Sequence, residues 1–511
     1  MKSTSAAILL GLIGCVSLAL IRSGEVSAQA FEPWSLPVRV SEEGIPANRP
    51  DVLADTSGQV HLFWLARLDN TKDCLYDTTM YASFSDGVWS EPRDVLVSPS
   101  GWCLSLTAAA FSPQDGRLHA VFTDYNLYHS SASAGEAGSA RSWSAPVLID
   151  SNALYPDVVV DSKNRIHVAY YHNRPDWEIY YSRSDDGGLH WTAPHFIYDA
   201  QGDDIIESLE LAVDEQDRLH LVWSEQFFDG VTQRGGIVHY VRSTDAGSTW
   251  ESPFVIDKKD ARYVPAYGAG EIAIVTAGKD QVHVVWNGPP SGHRWYRWSA
   301  DGGATWEAAQ PVAPLDAFSG QGLKWYNAGS DLAVDGAGRV HLLTSSTKTV
   351  HAIWQDGHWS ALDVLLPIGP YWPRMAISNG NMLHVVSAYY YMDGSEGPVG
   401  RADVGGVGQG DLNLFRVWCT AAHTDAPALP TQALPRPSPS EPIRVVPKAT
   451  STDPVGGRTA SPEATRLTGK DTFANQRQAG TLGSVSSVIL GVLPAALLVL
   501  IVLAVRSRRR R

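Results

Sequence analysis

Asp157-Val-Val-Val-Asp161-Ser-Lys-Asn-Arg-Ile-His167-Val-Ala-Tyr170 is the clearest copy of a phrase that occurs seven times in this chain of 511 residues. A short apolar stretch closes on Asp, a turn follows, and His opens a second apolar stretch that usually carries an aromatic. Close copies run from Asp51 through Asp55 to His61-Leu-Phe-Trp64 and from Glu210 through Asp214 to His220-Leu-Val-Trp223. Looser copies end at His119, His283, His341 and His384, so successive histidines stand 58, 48, 53, 63, 58 and 43 residues apart. A β-rich unit of this period cannot cover both its faces alone and must stack on its neighbours around an axis. The phrase predicts an all-β fold, a β-propeller. A residue present in every unit serves every blade alike, so the repeated histidines are expected to be structural, and function is expected where the blades differ.

A second phrase follows the His strand. It reads Ser184-Asp-Asp186-Gly-Gly188-Leu-His-Trp191, Ser243-Thr-Asp245-Ala-Gly247-Ser-Thr-Trp250 and Ser299-Ala-Asp301-Gly-Gly303-Ala-Thr-Trp306, with shortened forms at Ser85 to Trp89 and Gln355 to Trp359. Here Asp can accept the backbone N–H groups of its own turn, Gly supplies a positive φ, and Trp packs back on the sheet. The phrase resembles the Asp-box, or BNR repeat, of the sialidase superfamily, and the resemblance covers roughly residues 31 to 418. It implies that Asp186, Asp245 and Asp301 are structural residues on the face away from any active site. Because that superfamily includes sialidases, other glycan-active enzymes and binding propellers, the resemblance bears on fold more than on activity. Outer-strand tryptophans fall at 34, 89, 143, 191, 250, 306 and 359, and the first precedes any inner strand. Trp34-Ser-Leu-Pro-Val-Arg-Val40 therefore should complete the last blade and close a ring of seven, leaving no free sheet edge.

The ends carry targeting signals. Lys2, the apolar run Ala6 to Ile21 and the small residues up to Ala30 have the layout of a signal peptide, expected over 1–30. The propeller is expected over 31–420, and a Pro-, Ser-, Thr- and Ala-rich stalk over 421–483, where the composition offers little surface to bury. Residues 484–505 are long and apolar enough to span a bilayer, and the basic tail 506–511 should stay in the cytoplasm, leaving the propeller outside the cell. The formal charge of −14 becomes about −20 for the exported part, which disfavours nucleic acid as a partner. Three cysteines remain after the signal. Cys74 and Cys103, on loops of adjacent blades at one face, are expected to form a disulfide in an oxidising compartment, with Cys419 left over.

Loops leaving the His strand or opening a new blade share the face away from the Asp-boxes. They are rich in aromatics, among them Trp102, Tyr155, Tyr171, Trp177, Trp325, Tyr371 and Trp372, which either fill gaps between blades or stack on sugar rings. At the start of the innermost strand one position changes chemistry from blade to blade: Asp51, Thr107, Asp157, Glu210, Glu271, Asp331 and Arg374. Five carboxylates facing one Arg would raise carboxylate pKa values as a general acid requires; alternatively each caps its neighbour's backbone, or together they hold calcium on the axis. Glu210, Glu271, Asp157 and Asp331, with Glu207, are the candidate catalytic carboxylates. Arg374, Asp51, Trp177, Trp325, Tyr371 and Trp372 are the candidate binding residues. The sialidase resemblance implies three arginines around a substrate carboxylate, but Asn48-Arg49-Pro50 is off by one from the family's Arg-Ile-Pro, and no three of Arg174, Arg234, Arg294 and Arg374 match the triad. The expectation is a surface-anchored head that binds glycans as a recognition or adhesion module; the alternative is a glycoside hydrolase using a carboxylate pair on the loop-rich face.

Overall fold

The His phrase forms the second strand of each sheet. Val60–Ala66 is buried along its whole length, which explains why every position except His61 is apolar. It pairs antiparallel with Ala47–Ala54 on one side and Thr78–Ser85 on the other, and the same order repeats around the chain. The computed structural model describes residues 34–69, 74–172, 177–200, 204–229, 232–259, 270–288, 293–313, 329–345, 348–366, 371–390 and 415–435. The expected signal peptide, membrane-spanning run and basic tail lie outside these residues. Among the described residues no helix is long and apolar enough to cross a membrane.

Seven antiparallel sheets of four or five strands result among the described residues. Blades one to seven open with the inner strands Ala47–Ala54, Leu106–Ser112, Ala153–Val160, Ile205–Val213, Gly270–Ala277, Ser330–Val334 and Tyr371–Ser378. The ring closes as the Trp34 phrase predicts. Val38–Arg39 pairs with Phe415–His423 in the register Val38 to Cys419 and Arg39 to Trp418, and Trp34 bridges Ala422. The apolar core is divided among the blade interfaces: Phe63 and Leu65 of blade one meet Leu118 and Phe122 of blade two, and Ala376 and Val386 of blade seven meet Leu62 and Trp64 of blade one.

The repeated histidines are structural elements of each blade. His220 is fully buried; its Nδ1 faces the Tyr240 hydroxyl at 2.7 Å and its Nε2 faces Asp214 Oδ2 at 3.2 Å. Asp214 Oδ1 also accepts the N–H groups of Gln216 and Arg218, both at 2.9 Å, so one carboxylate shapes the first turn and anchors the His. Blades one and three repeat the arrangement with Asp55, His61 and Tyr81 and with Asp161, His167 and Tyr181. Burial lowers the pKa of His167, His220 and His341, which favours neutral rings.

The Asp-boxes fold as their sequence dictates. Ser243 Oγ accepts the Gly247 N–H at 2.8 Å and donates to Asp245 Oδ1, which accepts the Thr249 N–H at 2.8 Å. Gly247 has φ +79°, and a Cβ there would overlap the Tyr181 ring of the preceding blade; Gly303 stands in the same relation to Tyr240. Box glycine and blade tyrosine thus form one interlocking contact between neighbours.

One boundary differs from expectation. The last strand runs to His423, and residues 424–435 pack along the first turns of four blades instead of starting a stalk at 421. The N–H groups of Thr424, Leu429 and Gln432 donate to the carbonyls of Asn381, Asn379 and Thr56 at 2.7 to 2.8 Å. Arg339 meets Asp425 at 2.6 Å, and Leu434 joins the cluster between blades one and two. Sparse apolar residues hid this strap in the sequence, because backbone hydrogen bonds hold most of it.

Candidate functional site

Inner strands start at the face opposite the Asp-boxes, and their first residues line the mouth of the axis. Pairing with the His strand defines the equivalent positions. Asp51 faces Phe63, Asp157 faces Ala169, Glu210 faces Val222, Asp331 faces Leu343 and Arg374 faces Val386, in each case two residues past the His. In blades two and five that place belongs to Ala108 and Ala273, not to Thr107 and Glu271. The correction has a local cause. Blade five bulges between Gly270 and Ala273 just as blades one, three and seven bulge before Asp51, Asp157 and Arg374. Glu271 therefore takes the place of Arg49, Tyr155 and Trp372, and Ala273 takes the ring place. The strand of blade two pairs without a bulge.

The ring carboxylates bind backbone of the next blade. Asp51 Oδ2 accepts the Ala109 N–H at 2.8 Å, Asp157 Oδ2 accepts Leu211 at 2.7 Å, Glu210 Oε2 accepts Ile274 at 3.1 Å and Asp331 Oδ2 accepts Met375 at 2.6 Å. These four groups therefore fasten blade to blade. Burial, the largest cause, raises all four pKa values, with Asp157 and Asp331 reaching about 6. Arg374 is their counter-ion. Burial alone would lower its pKa, but Asp331, Glu210, Asp51 and Glu271 raise it on balance. Its guanidinium lies 3.9 Å from Glu210, and the two side chains keep 34% and 21% exposure, so the ring opens to water.

Above the ring stands a lip. Arg49, Tyr155, Glu271 and Trp372 all take positive φ, between 45° and 50°, and three of them precede Pro50, Pro156 and Pro373. Non-glycine residues in this conformation are strained, and the inner-strand bulges hold them there. The Arg49 guanidinium sits 5.4 Å from the centre of the Tyr155 ring and 5.7 Å from that of Trp372. Its Nη1 donates to the Ser105 carbonyl at 3.2 Å. Tyr155 stacks on Tyr171 at 5.2 Å, and Tyr171 rests against Trp177. Trp177 is thus a half-buried support for the lip, while Trp372 is part of the lip itself. Trp325 and the side chain of Tyr371 lie outside the described residues, as do Arg174 and the side chain of Arg234.

Glu207 and Glu271 complete the lip on blades four and five. Neither accepts a backbone N–H among the described residues. Gln226 donates to Glu207, whose pKa rises to about 8 through burial and then the charge of Glu271. Burial also raises Glu271, against the opposing charges of Arg374, Arg294 and Arg49. Arg294 is buried, with Nη2 donating to the Ser345 carbonyl at 2.6 Å, and belongs to the wall. Among the described residues no group of three or more His, Cys, Asp or Glu could hold a metal ion.

Cys74 and Cys103 are half-buried thiols on neighbouring segments of this face, where the Leu104 N–H donates to the Tyr76 carbonyl at 3.0 Å. Cys419 is buried in the last strand. Residue types alone missed Arg49 as a member of the lip. The available signal was the shared Pro just before Asp51, Asp157 and Arg374.

No curated protein matches this chain. Solved structures similar in fold include a protein of unknown function from Dyadobacter fermentans, at 14% identity over 77% of this chain and 100% of that one, with a TM-score of 0.46. A lectin from Burkholderia pseudomallei is 14% identical over 67% and 93%, with a TM-score of 0.49. An α-L-arabinanase from Penicillium chrysogenum is 14% identical over 63% and 93%, with a TM-score of 0.42. The sequence profile of the BNR repeat-like domain matches residues 21–267 and 168–322, more than half of the chain. With full Asp-boxes on blades three, four and five of a closed ring of seven, the chain belongs to the BNR repeat-like domain family.

Proposed function

We propose that this propeller recognises glycans at the mouth of its axis, as the head of a surface-anchored protein. The supporting observation is the lip, where a guanidinium held between Tyr155 and Trp372 stands beside two carboxyl groups not engaged by backbone. Sugar rings offer C–H faces to aromatic rings and hydroxyls to such polar groups, which this mixture suits better than it suits an apolar ligand. The net charge disfavours nucleic acid, and the terminal apolar segments support export and anchoring. A glycan array probed with the purified full-length chain tests the reading. Retention of one glycan class, weakened by Trp372→Ala, supports it, and absence of any retained glycan refutes it.

A second reading is favoured by one observation. The Glu210 to Ile274 bond sets the register of two neighbouring inner strands, and Glu207 and Glu271 each lie three residues nearer the mouth. Paired carboxyl groups in such a place are the apparatus of glycoside cleavage, with Glu207 the proton donor and Glu271 the carboxylate. Turnover of a bound glycan that is lost in both Glu207→Gln and Glu271→Gln supports this reading, and binding without turnover refutes it.

A further inference from the structure

Of the tryptophans in the described residues only Trp102 is exposed, at 62%, and the only exposed tyrosines are Tyr125 at 59% and Tyr155 at 36%. All three belong to the mouth face of blades two and three. Trp102 and Tyr125 meet edge to face, with ring centres 6.0 Å apart. They are presented on rigid backbone. Asp124 is buried, with 1% exposure, and accepts hydrogen bonds from Ser98 and from Ser100 at 2.6 Å. Ser98 in turn accepts the Trp102 N–H at 3.0 Å. The Ser105 N–H donates to the Thr123 carbonyl at 3.0 Å, closing the loop at its far end. Tyr125 itself has φ +81°, a conformation a tyrosine rarely takes, fixed by the hydrogen bond between Asp124 N–H and the Asn126 carbonyl.

Two contacts make this pair continuous with the lip. Arg49 donates to the Ser105 carbonyl at 3.2 Å, on the loop that carries Trp102. The Ala153 N–H donates to the Tyr125 carbonyl at 3.1 Å, two residues before Tyr155. Exposed rings on a frame fixed by Ser98, Ser100 and Asp124 offer a flat face continuous with the polar lip, which suits a ligand that combines a C–H face with hydroxyl groups.

We propose that Trp102 and Tyr125 form a distal carbohydrate subsite on blade two, so that the ligand is an extended glycan running from the mouth outward past Tyr155, not a single terminal sugar. This rests on the reading of the mouth as a glycan site. The two ideas separate by chain length. Binding of the full-length chain is measured by calorimetry with cello-, chito-, manno- and galacturonate oligosaccharides from dimer to hexamer. In the series that binds, affinity should rise with length, and Trp102→Ala should weaken the hexamer about tenfold while leaving the dimer unchanged. Trp102→Phe should restore most of the loss, and the melting temperature of both variants should match the parent because the ring is exposed. Affinity independent of length, or equal weakening of dimer and hexamer, overturns the distal subsite while the mouth reading stands. If the parent binds no member of any series, the mouth reading fails and the subsite with it.

Discussion

Replacing Asp214 by Ala removes the shared anchor of a blade, and the size of the effect can be worked out. The carboxylate serves the Gln216 and Arg218 N–H groups, the Arg218 side chain and His220 Nε2, and its side chain is 1% exposed. Burial opposes its charge, yet the hydrogen bonds from His220 and Arg218 hold its pKa down at about 2, below the ordinary aspartate value of 3.8. A carboxyl depressed by this amount contributes about 2.5 kcal/mol of stability at neutral pH. The folded pKa lies below the unfolded one, so the contribution is complete above about pH 4 and declines as pH falls towards 2, to about 1.3 kcal/mol at pH 3. A second loss overlaps the first, since the variant leaves a buried His220 N–H without an acceptor, a cost of about 1 to 3 kcal/mol. Urea unfolding of parent and Asp214→Ala should therefore differ by about 3 kcal/mol at pH 7, and by about 1 kcal/mol less at pH 3. A cycle with His220→Ala should show coupling of about 1 to 2 kcal/mol. A variant as stable as the parent at pH 7, or a gap that acid does not narrow, would refute the anchoring role.

Gly247→Ala should lower the melting temperature by several degrees, because the new Cβ meets Tyr181 across the blade interface in a positive-φ residue; scanning calorimetry reads this directly. Deleting residues 31–41 should expose the edge of Phe415–His423 and reduce both solubility and melting temperature, and a truncated chain that melts with the parent would contradict closure by the first strand. Glu210→Ala should destabilise the fold through the stranded Ile274 N–H, by about 1 to 3 kcal/mol, whereas Glu271→Gln should leave the melting temperature alone and alter only glycan affinity or turnover. Peptide mapping of exported protein without reductant should find Cys74 joined to Cys103; recovery of both as alkylated thiols would exclude the bond.

The fold was legible because its determinants are local and repeated. Seven His strands and the Asp-boxes encode strand, turn and packing in phrases of a few residues, and Trp34 announced the shared last blade by standing where no inner strand preceded it. The site was legible in part. Asp51, Asp157, Glu210, Asp331 and Arg374 do ring the mouth, but Glu271 stands with Arg49, Tyr155 and Trp372 two residues before the ring place, which in blade five is filled by an alanine, Ala273, that carries no chemistry to mark it. Nor could residue type tell which carboxylates are held by a neighbour's backbone, because that partner comes from another blade. Tyr125 escaped for a related reason: positive φ on an ordinary residue is imposed by tertiary contacts and leaves no mark in composition, whereas Arg49 was marked only by the proline that follows it. The strap over 424–435 was misread because a segment held by its backbone resembles a linker.

Closure by the first strand has a consequence for the order of events as the chain is made. Ser35 and Thr420 bond across 385 residues of sequence, so blade seven cannot acquire its outer strand until nearly the whole head has been synthesised and Val38–Arg39 has waited unpaired throughout. Blades one to six are each contiguous in sequence and can assemble in turn, each covering the exposed side of the one before. The nascent molecule is then an open arc with two apolar ends, the surfaces of blade one and blade seven that later meet. Such an arc can close on itself or add to the arc of a second chain. Local concentration decides between them, and a dilute chain favours its own end. The strap reaches from the turns of blade seven to those of blades one and two, and emerges after every blade, as a latch set across the join after it has formed.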